Sequence, residues 1–202
     1  MLELFLFVNP INRRCREAEA AVNRLLTELP AKVAVHFVPV VTIQVIDQYM
    51  RETGMNHRNL ALRNQLFDVA YQLSLDYKAA QFQGNKKART FLMASQEMLD
   101  VDPHAYSPGF AQAAAARCGL NLATLAADRA HEAMHQCLAS DHATAQEMGV
   151  WATPTAVVFN AGSMRSSGLR LDALSSYQAL QATCRQLLLD PAYGHPRRER
   201  VR

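Results

Sequence analysis

Three groups of residues in this 202-residue chain have types and spacings that could do chemistry. Cys15 stands among Arg13, Arg14 and Arg16, just after an apolar run that closes at Asn9-Pro10. A thiol beside cations and at a helix start has its pKa lowered and becomes a nucleophile. The run Val150-Trp151-Ala152-Thr153-Pro154-Thr155 sits directly before another apolar run and contains an X-Pro bond of the kind that can be cis in a tight turn. His131-Glu132-Ala133-Met134-His135 matches H-E-x-x-H, in which two histidines on one helix face bind zinc and the glutamate serves as general base. A third ligand is needed. Asp141 and His142 lie nearby, but at none of the known spacings, so we read this segment as an exposed helical face and expect no metal. The four cysteines, Cys15, Cys118, Cys137 and Cys184, include no C-x-x-C pair, which argues against a clustered metal site. The last three fall in helical patterns and read as small core residues in a reducing compartment. Gln83 to Lys87 reads as a polar, basic turn between helices, solvated or in contact with a partner. No phosphate loop, Ser-His-Asp order or paired carboxylates occur.

The elements that must position these groups follow from periodicity. Leu4 to Val8 is a buried strand, and Ala18, Ala21, Val22, Leu25, Leu26 and Leu29 mark one face of a helix stopped at Pro30. Val33 to Val38 is a second strand, so the start reads strand–helix–strand with a parallel crossover. From Val41 to Gly149 the pattern is helical only. One helix carries Leu66 to Ala80 and is closed by Gly84, and another runs from Lys86 to Leu99. A third opens at Ser107-Pro108 and ends at Cys118-Gly119, and two more are expected over Ala130 to Leu138 and Asp141 to Met148. Thr155 to Asn160 is a buried strand, and a weaker one is expected within Arg165 to Leu171. Asp172 is expected to cap a last helix with the face Leu174, Tyr177, Leu180, Cys184, Leu187 and Leu188, ending at Asp190-Pro191. The sum is an α/β core, residues 1–40 and 150–190, with an all-helical insertion at 41–149.

Composition sets the class. Half of the residues are hydrophobic and 19% charged, which suits a globular protein and excludes a disordered one. No apolar run is long enough to span a membrane. The opening MLELFLFVNP lacks a basic region and a cleavage site, so it reads as a strand and not a leader, and the expected location is cytoplasmic. Net charge is +3, and the tail 191–202 accounts for it with four arginines against one glutamate. The rest is balanced, which argues against a nucleic-acid partner, and the tail is expected to be a solvated, disordered end.

The order of these stretches resembles the DsbA-like branch of the thioredoxin superfamily. LFLFVNP, YQLSLDYKAAQFQGNKKARTFL and QEMGVWATPTAVVFN together resemble the ClpXP adaptor family, whose members deliver the transcription regulator Spx to the ClpXP protease. The resemblance covers residues 2 to about 189. It implies a thioredoxin-like (DsbA-like) α/β fold with a large helical insertion, a cytosolic stress-response role, and Spx and indirectly ClpXP as partners. It implies no cofactor and no membrane. Members often carry a further C-terminal region, which this chain is expected to lack.

The resemblance also assigns the thiol site. It puts Asn12 where the exposed attacking cysteine would stand and Cys15 at the second position, one turn further in and partly buried. An amide cannot form a mixed disulfide, so the expectation is a non-catalytic binding protein. Thr153-Pro154 would be a cis peptide facing Asn12. The N–H and C=O of Thr153 would then be left free to pair with an extended segment of a partner. Trp151 would either anchor that partner or pack in the core. The binding residues implied are Asn12, Cys15, Trp151, Thr153 and Pro154. The alternative is a DsbA-like or kappa-glutathione-transferase-like enzyme, with Asn12 orienting a glutathione thiolate beside Pro154.

Overall fold

The computed structural model describes residues 1–101, 105–161, 168–174, 176–190 and 193. Strand β1 (Leu2–Val8) leads into helix α1 (Arg13–Glu28) and strand β2 (Val33–Pro39). Six helices follow: α2 (Ile43–Glu52), α3 (Leu60–Gln81), α4 (Asn85–Val101), α5 (Pro108–Arg117), α6 (Leu122–Arg129) and α7 (Ala133–Glu147). The chain then returns through strands β3 (Thr155–Asn160) and β4 (Leu169–Leu171) to helix α8 (Tyr177–Leu189). None of the described helices is long and apolar enough to cross a membrane.

The strands form one mixed sheet in the order β2-β1-β3-β4. β1 runs parallel to β2, with Leu6 opposite Phe37, and antiparallel to β3, with Leu6 opposite Ala156. The crossover through α1 is what a parallel pair requires. β1 is apolar at almost every position because both its faces are covered. Leu2, Leu4, Leu6 and Val8 pack with Cys15, Ala18, Val22 and Leu25 of α1 and Leu180, Cys184 and Leu187 of α8. Phe7 faces the other way, with Val38, Val40, Val45, Ala145, Val150 and Val157. The fold is thus an α/β core with, among the described residues, six helices between β2 and β3, the architecture that the resemblance to DsbA-like proteins implies.

Two side chains tie those helices to the sheet. The Tyr77 hydroxyl on α3 donates to the Phe37 carbonyl of β2 at 3.3 Å. Nε2 of His142 on α7 accepts from the Val41 N–H at 3.1 Å, just past the end of β2. Both bonds satisfy groups that the sheet leaves over.

Several sequence expectations are corrected. The helices expected at Ala130 to Leu138 and Asp141 to Met148 are one helix, α7. Ser140 and Asp141 look like a break, but the Asp141 carboxylate turns to Lys78 on α3, a buried ion pair that lets the helix run through. Helix α6 was not expected, because it buries only Leu125 and so has no periodic stripe to detect. The last helix is capped by Ser176, whose hydroxyl accepts from the Ala179 N–H, and not by Asp172, which pairs with Arg170. Cys118 and Cys137 are half-buried and not core residues. The Gln83 turn is a clamp: its carboxamide bonds both the N–H (2.7 Å) and the C=O (3.0 Å) of Asn121, and Lys87 donates to the Gly119 carbonyl. The expected strand over Arg165 to Leu171 lies partly, and the basic tail almost wholly, outside the described residues.

Candidate functional site

At the C-terminal end of β1 the chain must turn into α1, and Asn9 makes that turn. Its Oδ1 accepts the Ile11 N–H at 3.2 Å, and its C=O accepts the Asn12 N–H at 3.1 Å. Asn12 is the N-cap of α1, with extended backbone (φ −100°, ψ 120°) and Oδ1 accepting the Arg14 N–H at 2.9 Å. Asn is a preferred residue there because its short side chain reaches a free helix N–H. The Nδ2 end donates to Oε2 of Glu52 at 3.0 Å. Asn12 is 3% exposed, so both ends of its amide are committed inside the protein.

Cys15 lies one turn further and is wholly buried. Its sulfur accepts the Asn9 N–H at 3.2 Å. Burial pushes the thiol pKa up to about 12, which the Asn9 N–H offsets only in part and the nearby Glu19 adds to. The expected lowering by arginines does not occur, because each is spent elsewhere. Arg13 pairs with Glu17 (3.3 Å), Arg14 with Glu52 (2.7 Å), and Arg16 with Asp100. Desolvation therefore outweighs the helix N-terminus, and Cys15 is held as the neutral thiol.

The second stretch comes in from β3. The Thr153–Pro154 peptide is cis, and both residues are buried. The Thr153 side chain adjoins the Cys15 thiol. The Thr153 backbone is not free, contrary to the sequence expectation. Its N–H donates to Oε1 of Gln48 at 3.1 Å, and its C=O accepts from Nε2 of Gln48 at 2.7 Å. Nε2 of Gln48 also donates to Oε1 of Glu52 at 2.8 Å. Glu52 thereby joins the two stretches: Asn12 and Arg14 reach it from α1, and Gln48 links it to Thr153.

Gln48 and Glu52 are the residues that sequence reasoning missed. They sit four apart on α2, a helix capped by Thr42, so their shared face is legible. Nothing in the sequence says that this face crosses both the α1 start and the turn before β3.

Trp151 does not pack in the core. It is 57% exposed, beside Ile43 at 58%. It forms the wall between two open hollows. One, of about 360 Å³, is lined by Val40, Ile43, His142, Ala145 and Val150, and the other, of about 290 Å³, by Gln44, Gln48, Arg51 and Glu52.

The H-E-x-x-H match does not form a face. His131 precedes α7, and its Nδ1 accepts the Ala133 N–H at 3.4 Å. Nδ1 of His135 is bonded to the Tyr71 hydroxyl at 2.7 Å. Among the described residues no three His, Cys, Asp or Glu side chains gather as a metal site would need.

Known proteins place this arrangement. Residues 5–182 match a family model described as thioredoxin. A ClpXP adapter protein SpxH from Bacillus licheniformis is 24% identical over an alignment covering 94% of this chain and 68% of that protein. A second SpxH, from Staphylococcus saprophyticus, is 20% identical over 87% of this chain and 62% of its own length. The chain thus spans about two-thirds of the length of these relatives. Pseudomonas aeruginosa DsbA2 superposes with a TM-score of 0.64 at 14% identity, covering 94% of this chain and 90% of that one. The chain belongs to the thioredoxin family, its fold is like that of DsbA proteins, and it is similar at low identity to the SpxH adapters.

Proposed function

We propose that this thioredoxin-family chain is a non-catalytic adaptor that binds a Spx-type transcription regulator in the cytoplasm and promotes its degradation by the ClpXP protease. The observation that carries the reading is the state of the thiol site. The helix start that would present an attacking thiol presents Asn12, whose amide is consumed by the Arg14 N–H and Glu52. The remaining thiol, Cys15, is sealed and protonated. A scaffold kept without an accessible thiolate is suited to binding and not to disulfide exchange. The homology to two ClpXP adapter proteins supports the adaptor class over nearly the whole chain.

The partner docks without a covalent step on the exposed face of Trp151 and Ile43. A large exposed aromatic side chain beside a hollow lined by Val40, Ile43, Ala145 and Val150 is the usual form of an interface anchor. The Thr153 backbone, Cys15 and Asn12 adjoin this face through Gln48 and Glu52, and we include them with Pro154 in the binding region.

The test is binding of purified Spx, followed by ClpXP degradation assays with and without this protein. Saturable binding and faster degradation are expected. Trp151→Ala should weaken binding at least ten-fold with an unchanged circular dichroism spectrum, and Cys15→Ser should bind as the parent does. Absence of Spx binding by the parent would end the adaptor reading. Retention on glutathione-agarose with conjugating activity would favour the glutathione-dependent enzyme instead.

A further inference from the structure

The two bonds between Gln48 and Thr153 have a specific form. One side-chain carboxamide gives its oxygen to the N–H of Thr153 and its nitrogen to the C=O of the same residue, at 3.1 and 2.7 Å. In an antiparallel ladder, a hydrogen-bonded pair of residues exchanges these same two bonds. Thr153 lies outside the ladder, since β3 pairs with β1 from Thr155 onward. Its backbone is therefore the natural place for an extended segment to add, and the Gln48 side chain already stands in for the residue such a segment would supply.

The stand-in is held from behind. The second hydrogen of Gln48 Nε2 goes to Oε1 of Glu52, and Glu52 is fixed by Arg14 at 2.7 Å and Asn12 at 3.0 Å. The Thr153 peptide group is 1% exposed as a residue, so water does not compete for it. An incoming peptide must trade its own two bonds for the two it breaks, and must also break the bond from Gln48 to Glu52. An edge that is satisfied internally offers little net gain to an added strand.

We propose that Gln48 is a built-in competitor for the Thr153 edge: its carboxamide closes a binding site for extended peptide backbone, which is accepted only when Gln48 is displaced. The site takes the main-chain amides of a small extended peptide and needs no thiol. The inference concerns the same region as the adaptor reading but does not depend on the identity of the client, because its test uses no Spx.

Two measurements decide it. The first is backbone amide exchange at Thr153 in the parent protein, in Gln48→Ala and in Gln83→Ala, a control that removes the like clamp on Asn121. Exchange at Thr153 should speed up at least ten-fold in Gln48→Ala and stay unchanged in Gln83→Ala. The second is titration with S-methylglutathione, a peptide without a free thiol, followed by the amide shifts of Thr153 and Trp151. The parent should show no saturable shift at millimolar ligand, and Gln48→Ala should show one. Gln48→Glu keeps an acceptor for the Thr153 N–H but has no donor for its C=O and repels Glu52, so it should open the edge too. If the parent binds as tightly as the variants, Gln48 does not close the site. If neither Gln48 variant gains binding, the edge is not a peptide site. Either result overturns the proposal, whatever Spx binding shows.

Discussion

Gln96 on α4 reaches across to α1 and donates from Nε2 to Oε1 of Glu19 at 2.9 Å, with both side chains closed off from solvent. The other two polar ends, Oε2 of Glu19 and Oε1 of Gln96, have no hydrogen-bond donor. Burial pushes the Glu19 pKa up to about 8, against the opposing pull of Gln96 and Arg16. At neutral pH the carboxyl therefore keeps its proton. A neutral acid facing an amide is far cheaper to bury than a carboxylate.

That pairing sets a pH dependence. The folded pKa lies above the ordinary value of 4.5, so the folded protein holds a proton that the unfolded chain has lost. The stability contribution is whole below pH 4.5 and is lost as pH rises through about 8. The slope in that window is at most about 1.4 kcal/mol per pH unit. Glu19→Gln removes the titration and should flatten this part of the profile. Urea unfolding of both proteins between pH 5 and 8.5 checks it, and a parent profile already as flat as the variant's would count against a protonated Glu19.

Thiol reactivity should divide the four cysteines into pairs. Cys15 and Cys184 are fully buried, with pKa values pushed up to about 12 by burial. Cys118 and Cys137 are half-buried. Ellman's reagent at pH 8 should titrate the second pair in the native protein and the first only after unfolding. Cys15→Ala should cost roughly 1–2 kcal/mol, since it removes a core atom and leaves the Asn9 N–H without its acceptor. Rapid native labelling of Cys15, read by peptide mass, would contradict its burial.

His142 should act as a neutral acceptor. Burial lowers its pKa from the ordinary 6.5, and Nε2 accepts the Val41 N–H at 3.1 Å. A protonated ring cannot accept that bond. The contribution is therefore whole above pH 6.5 and is lost as pH falls through the folded pKa. His142→Gln keeps an acceptor without the titration. Its unfolding free energy should change less than the parent's between pH 7 and 5, which chemical denaturation measures directly.

Local chemistry made much of the architecture legible. β3 was readable at its full extent because TAVVFN is a short, largely apolar run directly after Thr153-Pro154. α5 was readable because Ser107-Pro108 is a start signal and Cys118-Gly119 a stop. The crossover of β1, α1 and β2 followed from two short apolar runs on either side of a 3.6-period apolar face. α6 and the continuity of α7 were not readable, since one depends on a single buried leucine and the other on Lys78 arriving from α3.

The candidate site divides in the same way. Through its resemblance to the DsbA-like proteins the sequence put an amide, Asn12, where an attacking thiol would open α1, and residue type is all that mixed-disulfide chemistry needs to be ruled out there. It also determined that Thr153-Pro154 leads into a buried strand. Only the tertiary structure decided that Cys15 is sealed, that Arg14 and Arg16 face carboxylates of α2 and α4, and that the Thr153 backbone is already taken. The reason is physical. Desolvation and side-chain pairing depend on what α2 and α4 bring across from 38 to 84 residues away, and spacing along one chain segment carries no record of that arrival.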